Sequence, residues 1–352
     1  MRRLDGPTGA FLAYLTIVAV VLVAFGARLA DTRDSGTTPA ATDDVPGVVP
    51  SVVPSVVPSV VGAVETEKPT IDPAAQTGAT SGDELDDELG EERPRWQREP
   101  VFTPRRMLVA YYGTAGTGAL GVLGERTPEQ THRRLMRAAA AFERDGREVQ
   151  PVYELIVTVA DAHPGKDGDY NHDIARPDVA RYLAAARRQG ARVVLDLQTG
   201  RADFADVARR WEWALREPHV DLALDPEWRM GPREVPGQVV GAVRAAEVNR
   251  VSDWLADLVV RHDLPEKLLV LHQFRTSMLP DIEGIRGRDG LALVQHVDGF
   301  GTPGQKLDTF HAVAHPRTFR MGFKLFYDED VRLMGPAAVH AIDPRVRFVS
   351  YQ

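Results

Sequence analysis

The chain of 352 residues carries 42 basic and 50 acidic side chains, a formal net charge of −8, and no cysteine. The missing cysteine excludes a disulfide framework, a thiolate metal site, a Cys nucleophile and a lipid-modified N-terminal Cys. The charge is local: residues 31–104 hold fifteen acidic and five basic side chains, whereas residues 105–352 hold thirty-four of each. A neutral C-terminal region lacks the basic field that nucleic acid requires, so no nucleic-acid partner is expected.

Residues Ala10 to Ala27, AFLAYLTIVAVVLVAFGA, form an uncharged run of eighteen, close to the ~20 residues that cross a hydrocarbon core as a helix. Arg2 and Arg3 precede it, so the positive-inside rule places residues 1–9 in the cytoplasm and everything after Ala27 outside. The competing reading is a cleaved signal peptide. Phe25 and Arg28 fill the −3 positions of cuts after Ala27 and Ala30, and neither is small, which favours an uncleaved signal anchor in the cell membrane.

Residues 28–104 read as a disordered Pro/Val/acidic stalk, rich in Thr, Pro, Ala, Asp and Glu and poor in aromatic residues. Pro at every fourth position of VVPSVVPSVVPSVV, Val48 to Val61, blocks helix and sheet pairing. The acidic run DELDDELGEE, Asp83 to Glu92, is solvated and self-repelling.

From Met107 onward short apolar runs alternate with helical, Ala- and Arg-rich stretches. The runs cover 107–113, 151–160, 191–198, 220–227, 267–274, 291–299, 319–327 and 346–352. Helices are predicted over 128–146, 176–190, 203–217 and 248–263, two of them starting at or next to Pro and two ending in Gly. Nearly continuous apolar strands separated by helices are the signature of a parallel sheet. Eight such units in about 250 residues predict an α/β fold of a single (β/α)8 TIM-type barrel over 105–352. Trp211 and Trp213, two apart, cannot share a helical face, so one of them packs against the barrel.

No G-x-G-x-x-G, P-loop or G-x-S-x-G follows any strand, so no nucleotide cofactor is expected. The stretch GTAGTGALG, residues 113–121, reads as a flexible loop at the active face. In such a barrel that face lies at the C-terminal ends of the strands, which concentrates attention on the strand tails. The sharpest is LALDPEW, residues 222–228. Strand alternation puts Asp225 and Glu227 on one side, ~7 Å apart, with Trp228 beside them. Two neighbouring carboxyls can split their pKa values so that one stays protonated and acts as an acid. The bland alternative is a barrel-mouth ion pair with Arg229 or Arg275.

This D-x-E-W tail on the fourth strand resembles that of the chitinase-like glycoside hydrolases, which are (β/α)8 barrels. The resemblance implies Glu227 as general acid and Asp225 as the residue that orients an acetamido group. The family's further acidic positions, four and seven residues before its Glu, are Ala223 and Val220 here. Other barrel glycosidases take a second carboxylate from another strand; among Asp196, Asp298 and Asp328, Asp196 is favoured for its DLQ tail. Tyr111, Tyr112, Trp228 and Tyr327 are candidates for an aromatic floor under a sugar ring. Gln198, Gln273, Gln295 and Asp298 are candidate polar contacts to substrate. His272 and His296 stand near strand ends with Asp196, Asp225 and Glu227, but without H-x-H or H-E-x-x-H spacing, so no metal is assigned. The expectation is a membrane-anchored, extracytoplasmic glycosidase acting on a surface or cell-wall polysaccharide. A non-catalytic polysaccharide-binding barrel and a metal-dependent hydrolase are the alternatives.

Overall fold

Eight parallel strands close on themselves in a computed structural model that describes residues 95–143 and 146–352. The expected anchor at 10–27 and the stalk up to residue 94 lie outside the described residues. Among the described residues no helix is long and apolar enough to cross a membrane.

A short helix α1 (Arg95–Arg98) leads into β1 (Arg106–Thr114) and helix α2 (Pro128–Ala140). Then come β2 (Glu148–Ala160), a three-residue β3 (Asn171–Asp173), α3 (Arg176–Gln189), β4 (Arg192–Leu197), α4 (Phe204–Arg210) and α5 (Glu212–Leu215). The chain continues through β5 (Val220–Leu224), α6 (Ala245–Arg261), β6 (Lys267–Gln273), β7 (Leu291–Val297), α7 (Pro303–Val313), β8 (Arg320–Leu325), α8 (Pro336–His340) and β9 (Val346–Tyr351). Neighbouring strands pair in the order β1-β9-β8-β7-β6-β5-β4-β2, and a β1–β2 pairing closes the ring. All eight apolar runs are therefore strands of one TIM-type barrel. Strand β3 is an addition, antiparallel to the end of β2.

Local chemistry accounts for the helix ends. Thr127 accepts from the Gln130 N–H while the Gln130 side chain accepts from the Thr127 N–H, with Pro128 opening α2. Thr302, Gln305 and Pro303 repeat this capping box at α7. Gly190 ends α3 in the left-handed region, φ 65°. The helix predicted over 203–217 is broken at Trp211 (φ −98°, ψ 6°). Its ring is buried and its Nε1 donates to Thr158 Oγ1 at 3.0 Å, so packing against β2 outweighs helix continuity. Between β6 and β7 only two single 3-10 turns form.

Apolar side chains on the outer wall of the strands pack under the helices, and a smaller set fills the lumen. Leu108, Val152, Val194, Ala223, Val270 and Phe348 make the lumen floor, and Val101 plugs it from the N-terminal end. The Val101 N–H donates to Glu266 at 2.7 Å. Residues 95–104 therefore belong to the folded barrel and not to the stalk, a correction of the boundary drawn from composition. The Gly-rich loop after β1 packs closely on that strand. Gly121 has φ +131°, and a Cβ there would stand 2.4 Å from the Tyr112 carbonyl oxygen. Glycine at this position lets the loop fold tightly back on β1.

Near this floor Lys267 is wholly buried, donating to the Glu217 carbonyl at 3.0 Å and the Val220 carbonyl at 2.5 Å. Burial pulls its ammonium down to about 7, while an unfolded Lys titrates near ~10.4. Between those values the unfolded chain holds a proton that the folded one lacks, so this residue makes stability rise with pH. Lys267→Met is expected to remove that slope. Melting temperatures of wild type and variant at pH 7 and 9 test it; parallel slopes would rule out Lys267 as the source.

Candidate active site

The lumen changes character toward the C-terminal end of every strand. Alternation carries β1 from Leu108 and Ala110 to Tyr112, β2 from Val152 to Glu154, and β4 from Val194 to Asp196. Likewise β5 passes from Ala223 to Asp225, β6 from Val270 to His272, β7 from Val294 to His296 and Asp298, and β9 from Phe348 to Ser350. Lys324 completes the ring on β8. An apolar floor thus carries a buried polar layer at the C-terminal end, where barrels of this type place their chemistry.

Within the layer, Tyr112 donates to Asp196 at 2.9 Å, and the Gln198 amide donates to the Tyr112 oxygen at 3.4 Å. His272 Nδ1 lies 3.0 Å from Asp298, and its Nε2 lies 3.3 Å from Glu154 and 3.9 Å from Asp196. The Lys324 ammonium rests 3.6 Å above the Tyr112 ring centre and 3.7 Å from Asp298. His296 Nε2 meets Ser350 Oγ at 2.7 Å.

These contacts divide the carboxyls into two kinds. Burial raises every one of them, but at Glu154 the His296 and His272 imidazoles and Lys324 outweigh it and bring the group down to about 2. At Asp298 the His272 hydrogen bond and Lys324 do the same, again to about 2. Asp196 remains raised by burial, with Glu154 adding to it. Asp225 is pushed well above the usual range by burial and by the Asp196, Glu227 and Asp298 carboxylates. Burial and Lys324 oppose a charge on His272, yet the Asp298 hydrogen bond and the nearby Glu154 carboxylate win and raise it. At His296 burial, helped by His272 and Lys324, outweighs the Glu154 and Asp298 carboxylates and lowers it to about 3. Carboxyls whose affinities for a proton are driven apart at the mouth of a barrel are the raw material of acid–base chemistry.

Strand alternation reaches Asp225 but does not place Glu227. Strand β5 ends at Leu224, and Pro226–Trp228 form a 3-10 turn, so the two residues do not share a strand face as the sequence predicted. Both carboxyls are nevertheless buried. The proline forces the strand to end and sets the first residue of the turn. Gly241 then clasps it: its N–H donates to the Glu227 carbonyl at 2.7 Å. A Cβ at 241 would meet the carbonyl oxygens of Arg229, Pro226 and Glu227 at 2.5 to 2.7 Å. Arg229 is engaged by Glu247 at 2.8 Å, which removes the expected mouth ion pair on that side. Gly241→Ala is expected to displace the turn and cost about 1–3 kcal/mol of stability through overpacking. Urea unfolding of the variant tests this, and an unchanged midpoint would sink it.

The other sequence candidates fall into separate places. Asp196, Tyr112, Gln198 and Asp298 stand in the lumen layer. Gln273 and Gln295 do not: Gln295 binds Gln273 at 2.6 Å and the Val313 carbonyl at 2.7 Å, between barrel wall and helix α7. They brace the wall because odd and even positions on a strand face opposite ways. Tyr111 faces outward for the same reason. It meets Tyr327 with hydroxyls 3.3 Å apart, and Tyr351 stacks on Tyr327. Arg134 covers the Tyr111 and Tyr327 rings at 5.6 and 5.3 Å, in a cleft of about 830 Å³ outside the lumen. The expected aromatic floor is therefore split, with Tyr112 inside, Tyr111 and Tyr327 outside, and Trp228 half-buried on its turn.

Glu154 and Ser350 are the members that strand tails did not reveal. Glu154 lies six residues before the end of the long β2. Its signal was the single charge inside the run 151–160, a position that a buried functional carboxylate occupies and an ordinary surface one does not. No protein-family model matches the chain, and no curated protein matches it at a significant level.

Proposed function

We propose that this protein is a glycoside hydrolase acting on a surface or cell-wall polysaccharide, with the Asp225–Glu227 pair at the mouth of β5 supplying the proton that the departing sugar oxygen needs. One observation carries the reading: Asp225 is 2% exposed at the C-terminal end of a barrel strand, next to Glu227 and above a layer of further carboxyls. Burial and like-charge neighbours keep such a group protonated at neutral pH, as a general acid requires. Glu227, on the turn, is the group nearer to solvent and is assigned as the acid, with Asp225 setting its environment. Residues 10–27 are proposed as membrane anchor and the following stalk as spacer to an extracytoplasmic barrel; protease treatment of intact cells, releasing the barrel, tests that placement.

The activity test is hydrolysis of cell-wall and exopolysaccharide fragments by the full-length protein in detergent, followed as new reducing ends. Cleavage of one class establishes the reaction, and saturable binding without any new reducing ends defeats it. That second outcome corresponds to a binding-only barrel, which the outer cleft of Tyr111, Tyr327 and Arg134 favours. Aromatic faces beside guanidinium groups suit an acidic sugar chain.

A further inference from the structure

We propose that the barrel lumen holds one divalent transition-metal ion on Glu154, His272 and His296. One donor atom from each lies within 4.8 Å of the others, and all three side chains are fully buried. The His272 Nε2 to Glu154 Oε1 separation of 3.3 Å is close to the roughly 3.4 Å edge of a tetrahedron with bonds of about 2.1 Å.

A second, independent observation points the same way. Both Glu154 oxygens, His272 Nε2 and His296 Nδ1 lack a hydrogen-bond partner although buried, and Asp196 Oδ1 beside them does too. Buried polar atoms are almost always satisfied, and a cluster of orphans marks the place of an ion or water. The far nitrogens are already engaged: His272 Nδ1 by Asp298 at 3.0 Å and His296 Nε2 by Ser350 at 2.7 Å. A ligating imidazole is held in this way, its outer nitrogen fixed by a carboxylate or hydroxyl so that the inner one faces the metal. Gly322 leaves the space that His296 uses, since a Cβ there would stand 2.3 Å from His296 Nδ1.

Charge also fits. The proton that Asp298 and Glu154 favour on His272 is the one a 2+ ion would displace, leaving its charge beside the same two carboxylates. The donors, two imidazoles and one or two carboxylates, suit Zn²⁺ or Mn²⁺ and not Ca²⁺. The site is separate from the proposed glycosidase chemistry and is tested without substrate.

The full-length protein is stripped with chelator, incubated with ZnCl₂ or with CoCl₂ as a coloured stand-in, passed through a desalting column and assayed for metal. One equivalent retained, with visible Co²⁺ absorption, is expected. Glu154→Gln and His296→Gln should each abolish retention, and Asp298→Asn should weaken it about 10- to 100-fold. Circular dichroism establishes that each variant is folded; should one unfold, Asp298→Asn decides. His172→Ala is the surface comparison, because His172 pairs with Asp161 at an exposed site. No metal on the wild type, retention undiminished in the lumen variants, or loss in His172→Ala each overturns the proposal.

Discussion

Asp225→Asn is expected to lower kcat/KM for a cleaved glycan by about 10²–10⁴-fold while leaving the melting temperature unchanged or raised. The two halves of this expectation have one cause. Burial and the neighbouring carboxylates already hold Asp225 in its neutral form, so an amide of the same shape replaces a neutral acid without uncovering a charge. It spares the chain the uptake of a proton on folding and removes the carboxyl that sets the environment of Glu227. Glu227→Gln is expected to lose activity to a similar extent. Steady-state kinetics on both variants, beside thermal unfolding, separate the cases. A variant that unfolds shows that Asp225 is charged and paired in the native state, and one that keeps full turnover removes the pair from the mechanism.

The largest effect on stability is expected at the opposite end of the barrel. Asp221 is fully buried on β5 and receives Arg192 of β4 through two hydrogen bonds, at 2.7 and 2.6 Å, and the Leu268 N–H of β6 at 2.8 Å. One carboxylate thus ties three consecutive strands. Asp221→Ala strands a guanidinium that is only 15% exposed and orphans a backbone N–H, a loss of about 3–5 kcal/mol. Most of that is the cost of the uncompensated cation, so Arg192→Met combined with Asp221→Ala should recover much of the loss. Chemical denaturation of the two single variants and the double variant tests this. Strict additivity of the two changes would contradict a coupled pair.

The barrel was legible because each strand is a compact apolar run bounded by polar turns, and eight of them recur with helical stretches between. What the pattern could not show was three-dimensional height. Glu154 faces His272 Nε2 in the lumen as Asp196 does, at 3.3 and 3.9 Å, although it is mid-strand in sequence, since β2 spans thirteen residues where β4 has six. Reading strand tails found His272 and His296 but not the carboxylate that faces them. Gln273 and Gln295 were misplaced by the same reasoning, because a polar residue at a strand tail faces the lumen on one parity and the helices on the other. The DPE turn failed differently: strand alternation was extended through Pro226, where the backbone leaves the sheet. Strand β3 carries no apolar signal in its sequence Asn-His-Asp and forms only because the end of β2 offers a free edge.

The apolar floor makes the lumen a well with a single opening. Val101, Leu108, Val152 and Phe348 seal one end with side chains that conduct neither water nor protons. Any solvent, ion or proton that reaches Glu154 or His272 then enters from the C-terminal end of the strands. Exchange with bulk solvent is therefore set by the loops at the mouth, and a change in their mobility alters how fast the buried layer equilibrates without touching a residue inside it.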